Sequence, residues 1–476
     1  MKVLQRSHSA YWHFTEKRLT YSLKRVYLFN QKGQPFQKNG NFTEIKKSDR
    51  EIANNKQYAD NEFQNCIYMR SQQKKILQIN ITANWGSHGK IAESIGKIVL
   101  NHGWESYIAY GRWMNPSQST LYHIGSKWDE ARHGVISRFF DNHGQNSKNA
   151  TRKLIQYIQS IQPDIIHLHN IHGYYLNYQL LFEFLKQYNA PVVWTLHDCW
   201  AFTGHCAHYM FINCEKWKLH CERCPNLRTY PKSWFCDRSY QNFEDKRKAF
   251  TSLDNITLIP VSTWLQDQLK QSFLKEQNII TIHNGIDTQL FKPTEDFLPV
   301  LRKYKINETK SIILGIASNW FHKGLNDFIQ LRRLLDDYFQ IVLVGLNSQE
   351  QKKIPQGVIG IPRTQNIKEL IALYSAANIL LNPTWEDNFP TTNLEAMACG
   401  TPVITYKTGG SPEAIDEHTG FVVQQGDIQE AANIIKRVSM EGKDKYTKEC
   451  RKRVKTYFNM DTQYMEYFKL YNQLLR

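Results

Sequence analysis

From Lys74 onward the chain alternates short apolar runs with stretches of helical periodicity, and it goes through this cycle twice. The first round holds KILQINI (75–81), ESYIAYG (105–111), PDIIHLHN (163–170), PVVWTLHD (191–198), ITLIPVS (256–262) and IITIHNG (279–285). FKP (291–293) closes it. The second round holds SIILGIAS (311–318), FQIVLVG (339–345), NILLNP (378–383) and PVITY (402–406), with helical IKELIALYSAA (367–377) and NLEAMACG (393–400) between. Apolar strands without polar alternation, spaced by helices, are the mark of parallel βαβ units buried on both faces. The pattern predicts an α/β chain with two Rossmann-like halves in tandem, ending in a helix over 460–476.

Residues 1–73 lack either periodicity and are rich in Asn, Gln and Lys, which reads as a poorly ordered basic extension. Of the chain's net charge of +16, nearly half sits there, with 13 Lys+Arg against 6 Asp+Glu. The remaining body is only mildly basic, which argues against a footprint for nucleic acid over the whole protein. Met69 lies just before the change of pattern, so a working start at Met69 is a hypothesis. No apolar run reaches the length of a membrane span, and MKVLQRSHSAYWHFTEKR contains no apolar signal core. The expectation is a cytoplasmic chain, peripheral at most at the inner membrane face. A run from Lys443 to Lys455, with seven basic and two acidic residues, reads first as a solvated helix face and second as a membrane contact.

In open parallel sheets, ligands bind beyond the carboxyl ends of the strands. After the first strand come Gly86-Ser87-His88-Gly89, where a backbone can approach an anion at a helix start. His167, His169 and His172 surround the end of a later strand, with 167 and 169 on one face, and His197-Asp198 end the next. Lys323-Gly324 precede a helix in the second half, where a lysine can neutralise a diphosphate. The densest run is Trp385-Glu386-Asp387-Asn388-Phe389-Pro390-Thr391-Thr392, followed by Asn393-Leu394-Glu395 on a helix that Thr391 is expected to cap. Two carboxylates beside a phosphate site would repel the anion, so their sensible partners are the hydroxyls of ribose or sugar. Gly409-Gly410-Ser411-Pro412-Glu413 adds another strand-end loop.

Asp387-x7-Glu395 with LEAMACGTPVI after it resembles the E-x7-E signature of retaining glycosyltransferases of family 4. Asn284-Gly285-Ile286-Asp287 with Phe291 and Pro293 is similar to that family's hinge approach. Lys323-Gly324 and Gly409-Gly410 fall in the family's order. The resemblance covers residues 74–440. It implies a GT-B fold, two Rossmann-like domains facing across a cleft: an acceptor domain over 74–294 with a Cys-rich insertion at 199–236, a nucleotide-sugar domain over 295–459, and a last helix, 460–476, returning to the first domain. It implies His169, Asp387 and Glu395 as catalytic residues. Gly86, Gly89, Lys323, Asn388, Phe389, Pro390, Thr391, Thr392 and Glu395 would bind the donor. It implies no metal for the chemistry, and as partners a nucleotide-sugar and a glycan or lipid-linked acceptor in cell-surface polysaccharide synthesis. Two departures stand out. The first acid is Asp387, with Glu386 beside it, and Ala317 and Ser318 occupy the place of the family's diphosphate arginine. Asn319, His322 and Arg363 are the candidates to compensate. The alternative readings are a GT-B nucleotide-sugar 2-epimerase and a non-enzymatic, metal-stabilised nucleic-acid-binding protein.

Six of nine cysteines fall between residues 199 and 236. Cys206-x7-Cys214-x6-Cys221-x2-Cys224 ends in a C-x2-C half-site of the zinc type. A structural zinc is the preferred reading over free thiols and disulfides, with Cys199, Cys236, His205 and His208 as substitute ligands.

Overall fold

Central strands form where the sequence is apolar on both faces. The first sheet contains β1 (Lys75–Asn80), β2 (Glu105–Tyr110), β3 (Thr120–His123), β4 (Ile165–Leu168), β5 (Val192–Leu196), β6 (Ile256–Pro260) and β7 (Asn278–Ile279). They run parallel in the order β3-β2-β1-β4-β5-β6-β7. The second sheet contains β8 (Ser311–Ile316), β9 (Phe339–Val344), β10 (Val358–Ile361), β11 (Ile379–Asn382), β12 (Val403–Tyr406) and β13 (Gly420–Val423). These too are parallel, in the order β10-β9-β8-β11-β12-β13. The two sheets make an α/β GT-B fold. This computed structural model of the protein describes residues 73–476. The expectations for the amino-terminal extension and for Met69 concern residues 1–72 and lie outside the described residues. Both sheets belong to one compact unit, Lys74–Arg476.

β3, β10 and β13 have no counterpart among the runs read from sequence. Each is a four-residue strand at the edge of its sheet. β3 is exposed or half-buried along its whole length, so it has no need of an apolar run. The opposite departure occurs at IITIHNG, where only Asn278–Ile279 pairs with β6 and the rest is a crossing segment. There Ile286 pairs in parallel with Asn459: Ile286 N donates to Phe458 O at 2.8 Å, and Met460 N to Ile286 O at 3.0 Å. The two connections between the halves therefore run side by side.

The terminal helix Met460–Leu474 packs on the first half. Its Tyr464, Tyr467, Leu470 and Tyr471 share an apolar cluster with Ile76, Ile91, Ile95, Val99 and Trp104. Its hydroxyls are also bound there, Tyr467 OH accepting from Thr195 Oγ1 (3.1 Å) and Tyr471 OH bonding His167 Nδ1 (2.7 Å).

The helix Asp444–Tyr457 carries most of the basic run, and two of its basic side chains, with Lys443 just ahead of it, are engaged within the protein. Arg451 donates to the carbonyls of Phe291 and Ala398, Arg453 pairs with Asp416 at 2.6 Å, and Lys443, just ahead of the helix, binds the Ala377 carbonyl at 3.1 Å. These three cations are tied into the fold, whereas Lys445, Lys448, Lys452 and Lys455 are exposed, as a solvated helix face requires. Among the described residues no helix is long and apolar enough to cross a membrane.

Candidate active site

In both sheets the strand order reverses beside the first strand, between β1 and β4 and between β8 and β11. The crevices at these switch points receive the loops after β1, β4, β8 and β11. After β11 the chain runs through Glu386 and Asp387 into the helix Thr391–Ala398. Gly409, at φ +52°, presses on this turn from the loop after β12. A Cβ there would lie 1.8 Å from the Asp387 carbonyl oxygen, and one at Gly410 would lie 2.1 Å from that of Asn388. Only glycine fits such an approach. The paired glycines thus hold the acidic turn in place.

Lys323, after β8, reaches the same turn. Its Nζ donates to Asp387 Oδ2 at 2.7 Å, to Thr384 Oγ1 at 3.2 Å and to the Glu386 carbonyl. Glu386 faces the other way. It accepts from His322 Nδ1 at 3.0 Å and from the Phe211 N–H at 3.3 Å, while the Phe211 ring stacks on His322 at 3.7 Å. The neighbouring acids therefore have different work: Asp387 carries the lysine, and Glu386 anchors the Cys-rich insertion to the second half. Glu386→Gln is expected to cost less than tenfold in kcat/KM, and Asp387→Asn roughly ten- to a hundredfold, since a charged hydrogen bond is worth about 1.5–3 kcal/mol. Steady-state kinetics of the pair checks this, and the reverse order would shift the motif register by one.

Glu395 is half-buried on the same helix and accepts from Tyr374 OH at 2.7 Å. Burial pushes its carboxyl up; the Tyr374 hydroxyl and the Lys90 ammonium from the facing half pull it back. The helix begins with Pro390 at its cap position and Thr391 as its first residue, and no side chain caps it. The cap expected from Thr391 is not formed, because the turn enters the helix one residue earlier. The first-turn N–H groups stay uncapped by side chains beside Asn388, Phe389 and Thr392, a disposition that favours an anion. The facing helix spans Gly86–Asn101, opening at Gly86 (φ +66°). The space beside Gly89 is taken by Thr82, 2.6 Å from where a Cβ would stand, whereas Gly86 is open.

The histidines form a file. His167 and His169 do share a face, their rings 4.1 Å apart. His169, however, is 1% exposed, with Nδ1 on His197 Nε2 (3.2 Å) and Nε2 on Gln78 Oε1 (3.0 Å). Burial, with His167 beside it, holds its imidazole well below the usual range. The expectation that His169 meets the sugar is corrected: His197 stands in front of it. His197 is half-buried, and its carbonyl accepts from Asn388 Nδ2 of the other half at 2.8 Å. Strand alternation placed His169 on the correct face but not behind another ring. Beyond it His172 Nε2 bonds Asp198 Oδ2 at 2.8 Å. Burial opposes the charge of Asp198, yet His172 and the Trp200 N–H hold its carboxyl far below the carboxylate range.

Of the three residues considered as substitutes for the missing arginine, two are engaged within the protein. Asn319 accepts from the Phe321 N–H at 3.0 Å, His322 is on Glu386, and Arg363 is exposed just beyond β10. Lys90, immediately after the Gly-rich turn, is the second cation of the cleft. Its sequence signal was a lysine at a helix start. Tyr374 and Phe211 carried no such signal, being a core-type tyrosine and an insertion residue.

Cys206, Cys214, Cys221 and Cys224 all line one small cavity, and all are free thiols. As their side chains stand, no group of three or more His, Cys, Asp or Glu among the described residues is arranged to hold a metal ion.

Residues 101–290 match the family model Glycosyltransferase Family 4, and residues 299–457 match Glycosyl transferases group 1. WcaC of Escherichia coli K12, named for glycosyl transfer in colanic acid biosynthesis, is 24% identical over 382 residues, covering 76% of this chain and 90% of its own. The capsular polysaccharide biosynthesis glycosyltransferase CapM of Staphylococcus aureus is 25% identical, covering 46% of this chain and 62% of its own. Among solved structures, the sucrose-phosphate synthase of Thermosynechococcus elongatus superposes with a TM-score of 0.64 at 18% identity, covering 84% of this chain and all but 1% of its own. Anabaena HepE in complex with UDP gives 0.57 at 15%, covering 84% and 100%. Neither the epimerase nor the nucleic-acid reading is favoured by these likenesses. The chain belongs to the glycosyltransferases, its first half of family 4 and its second of group 1, on a GT-B scaffold.

Proposed function

We propose that the protein moves a sugar from a nucleotide-sugar to a glycan or lipid-linked acceptor, with retention at the anomeric carbon, in the building of a cell-surface polysaccharide. The observation that carries this reading is the Lys323–Asp387 pair beside an uncapped helix N-terminus, with Glu395 one turn inside. Departure of a nucleoside diphosphate leaves negative charge on its oxygens. Lys323, Lys90 and the helix terminus offset that charge. A lysine that turns to the diphosphate frees the Asp387 carboxylate for the donor sugar's hydroxyls, and Glu395 takes the ribose. Asn388 to Thr392 supply backbone and hydroxyl partners, and His197 faces the sugar from the other half. The names of WcaC and CapM support a polysaccharide product, and the HepE complexes with UDP and UDP-glucose support a nucleotide-sugar donor. Calorimetric screening of purified protein against nucleotide-sugars tests the reading: one donor should bind, and more weakly to Lys323→Ala. Binding to none of them would overturn it.

A lipid-linked acceptor implies contact with a membrane surface, and the first half has a face suited to it. On the helix Lys127–Phe140, Trp128, Arg132, Val135 and Phe139 recur at helical spacing, and Trp128 is 85% exposed. Trp234 and Phe235 extend the face, their rings 5.3 and 5.1 Å from Phe139. Outward aromatic residues flanked by Lys127 and Arg132 are the composition of an interfacial helix. Sedimentation with anionic phospholipid vesicles should recover the protein, and Trp128→Ser with Phe235→Ser should lower the bound fraction severalfold. Equal recovery would remove this face from the proposal.

A further inference from the structure

We infer that Cys206, Cys214, Cys221 and Cys224 bind one zinc ion, which fixes the insertion against the catalytic cleft. The spacing ends in a C-x2-C turn, and the fold brings all four to one cavity of about 10 Å³, room for an ion or a single water and for nothing larger.

A second group points the same way. His205 lines the same cavity, its side chain wholly buried, with Nδ1 held by Asp141 Oδ1 at 2.6 Å. Its Nε2 is buried and has no protein partner, although buried polar atoms are almost always paired. A carboxylate behind one ring nitrogen is the usual support of a metal-ligating imidazole, which makes His205 the alternative to one of the four cysteines as a ligand. Nearby, the Lys246 ammonium is buried and donates to the Trp200 and Thr203 carbonyls at 2.7 and 2.9 Å. Zinc takes thiolate sulfurs at about 2.3 Å in a tetrahedron. As the side chains stand, no three of these groups among the described residues are placed to hold an ion, so binding has to draw the sulfurs together.

The residues between 199 and 236 contain only three single 3-10 turns. That length of irregular chain calls for a staple. The segment nonetheless delivers Phe211 to His322. Together with Pro225 and Asn226 it also forms one wall of a cavity of about 910 Å³ whose other wall includes Trp320 and Trp385. A four-thiolate ion has no position open to water, so its role is positioning. This inference stands whichever donor the enzyme uses.

The test is metal analysis of full-length protein purified without chelator, which should find about one zinc per chain. Cys214→Ser and Cys221→Ser should each lose most of it, whereas Cys399→Ser and Cys450→Ser, far away in sequence, should keep it. Should the cluster variants not fold, titration of the wild-type protein with a mercurial reagent keeps the question open to decision: zinc release should follow modification of about four thiols per ion. Less than about a tenth of an equivalent, with those four thiols reacting freely in the native state, would overturn the inference. So would disulfides between them by mass spectrometry, or zinc retained in both cluster variants. Loss in His205→Gln with retention in Cys214→Ser would overturn the four-thiolate set.

Discussion

Glu395→Gln is expected to lower kcat/KM by about one to two orders of magnitude, the worth of a charged hydrogen bond at roughly 1.5–3 kcal/mol, with little change in melting temperature. The amide keeps an oxygen for Tyr374 OH, so that hydrogen bond survives. What disappears is the charge, which burial already disfavours and which only Tyr374 and Lys90 support. A carboxylate kept in a costly place without helping the fold is kept for a ligand. Rates within a factor of two of wild type would sink its assignment to the donor. A large fall in melting temperature would show instead that the Tyr374 contact holds the helix.

Acidification from pH 7 to pH 5 is expected to destabilise the enzyme by about 4 kcal/mol through two histidines alone. His133 and His167 are 1% exposed or less, and burial brings each down to about 3. His133 Nε2 accepts from the Gly144 N–H at 3.3 Å, so that nitrogen must stay unprotonated. His167 is bonded on both nitrogens, to Thr195 and to Tyr471. An unfolded histidine takes up its proton near pH 6.5. Below that pH the unfolded chain binds protons that the fold refuses, so stability falls as pH falls, from about 6.5 down to the folded values near 3. Each residue contributes about 2 kcal/mol of loss by pH 5. Carboxylates held low, such as Asp198 and Glu413, stay charged across this range in either state. Against a total stability of 5–15 kcal/mol for typical proteins, the melting temperature should drop by roughly 5 °C for a folded unit of this length. A melting temperature flat from pH 7 to 5 would mean that these rings are not buried neutral.

The parts of this molecule legible in the sequence are those decided by local chemistry. β1, β4, β5, β8 and β11 are buried on both faces and could be read to within about two residues at each end. The edge strands could not, because half their surface is solvated. The acids, the lysine and the glycine pairs were visible by type and spacing, but their partners were not. Asp387 meets Lys323 across 64 positions of chain, and Gly409 presses on the Asp387 carbonyl. His169 was drawn from its strand face alone, and only the packing of β5 beside β4 shows His197 in front of it.

The paired crossings at Ile286 and Asn459 mean that the halves of the sequence are not the halves of the machine. The last helix is covalently continuous with the second sheet, yet its tyrosines cover Ile76, Ile91 and Trp104 of the first. A gene split between the sheets would leave the amino-terminal product with a bare apolar flank and the carboxy-terminal product trailing a greasy tail. Neither piece would be soluble by itself, but the two could recombine when mixed, because the missing surface of each is carried by the other.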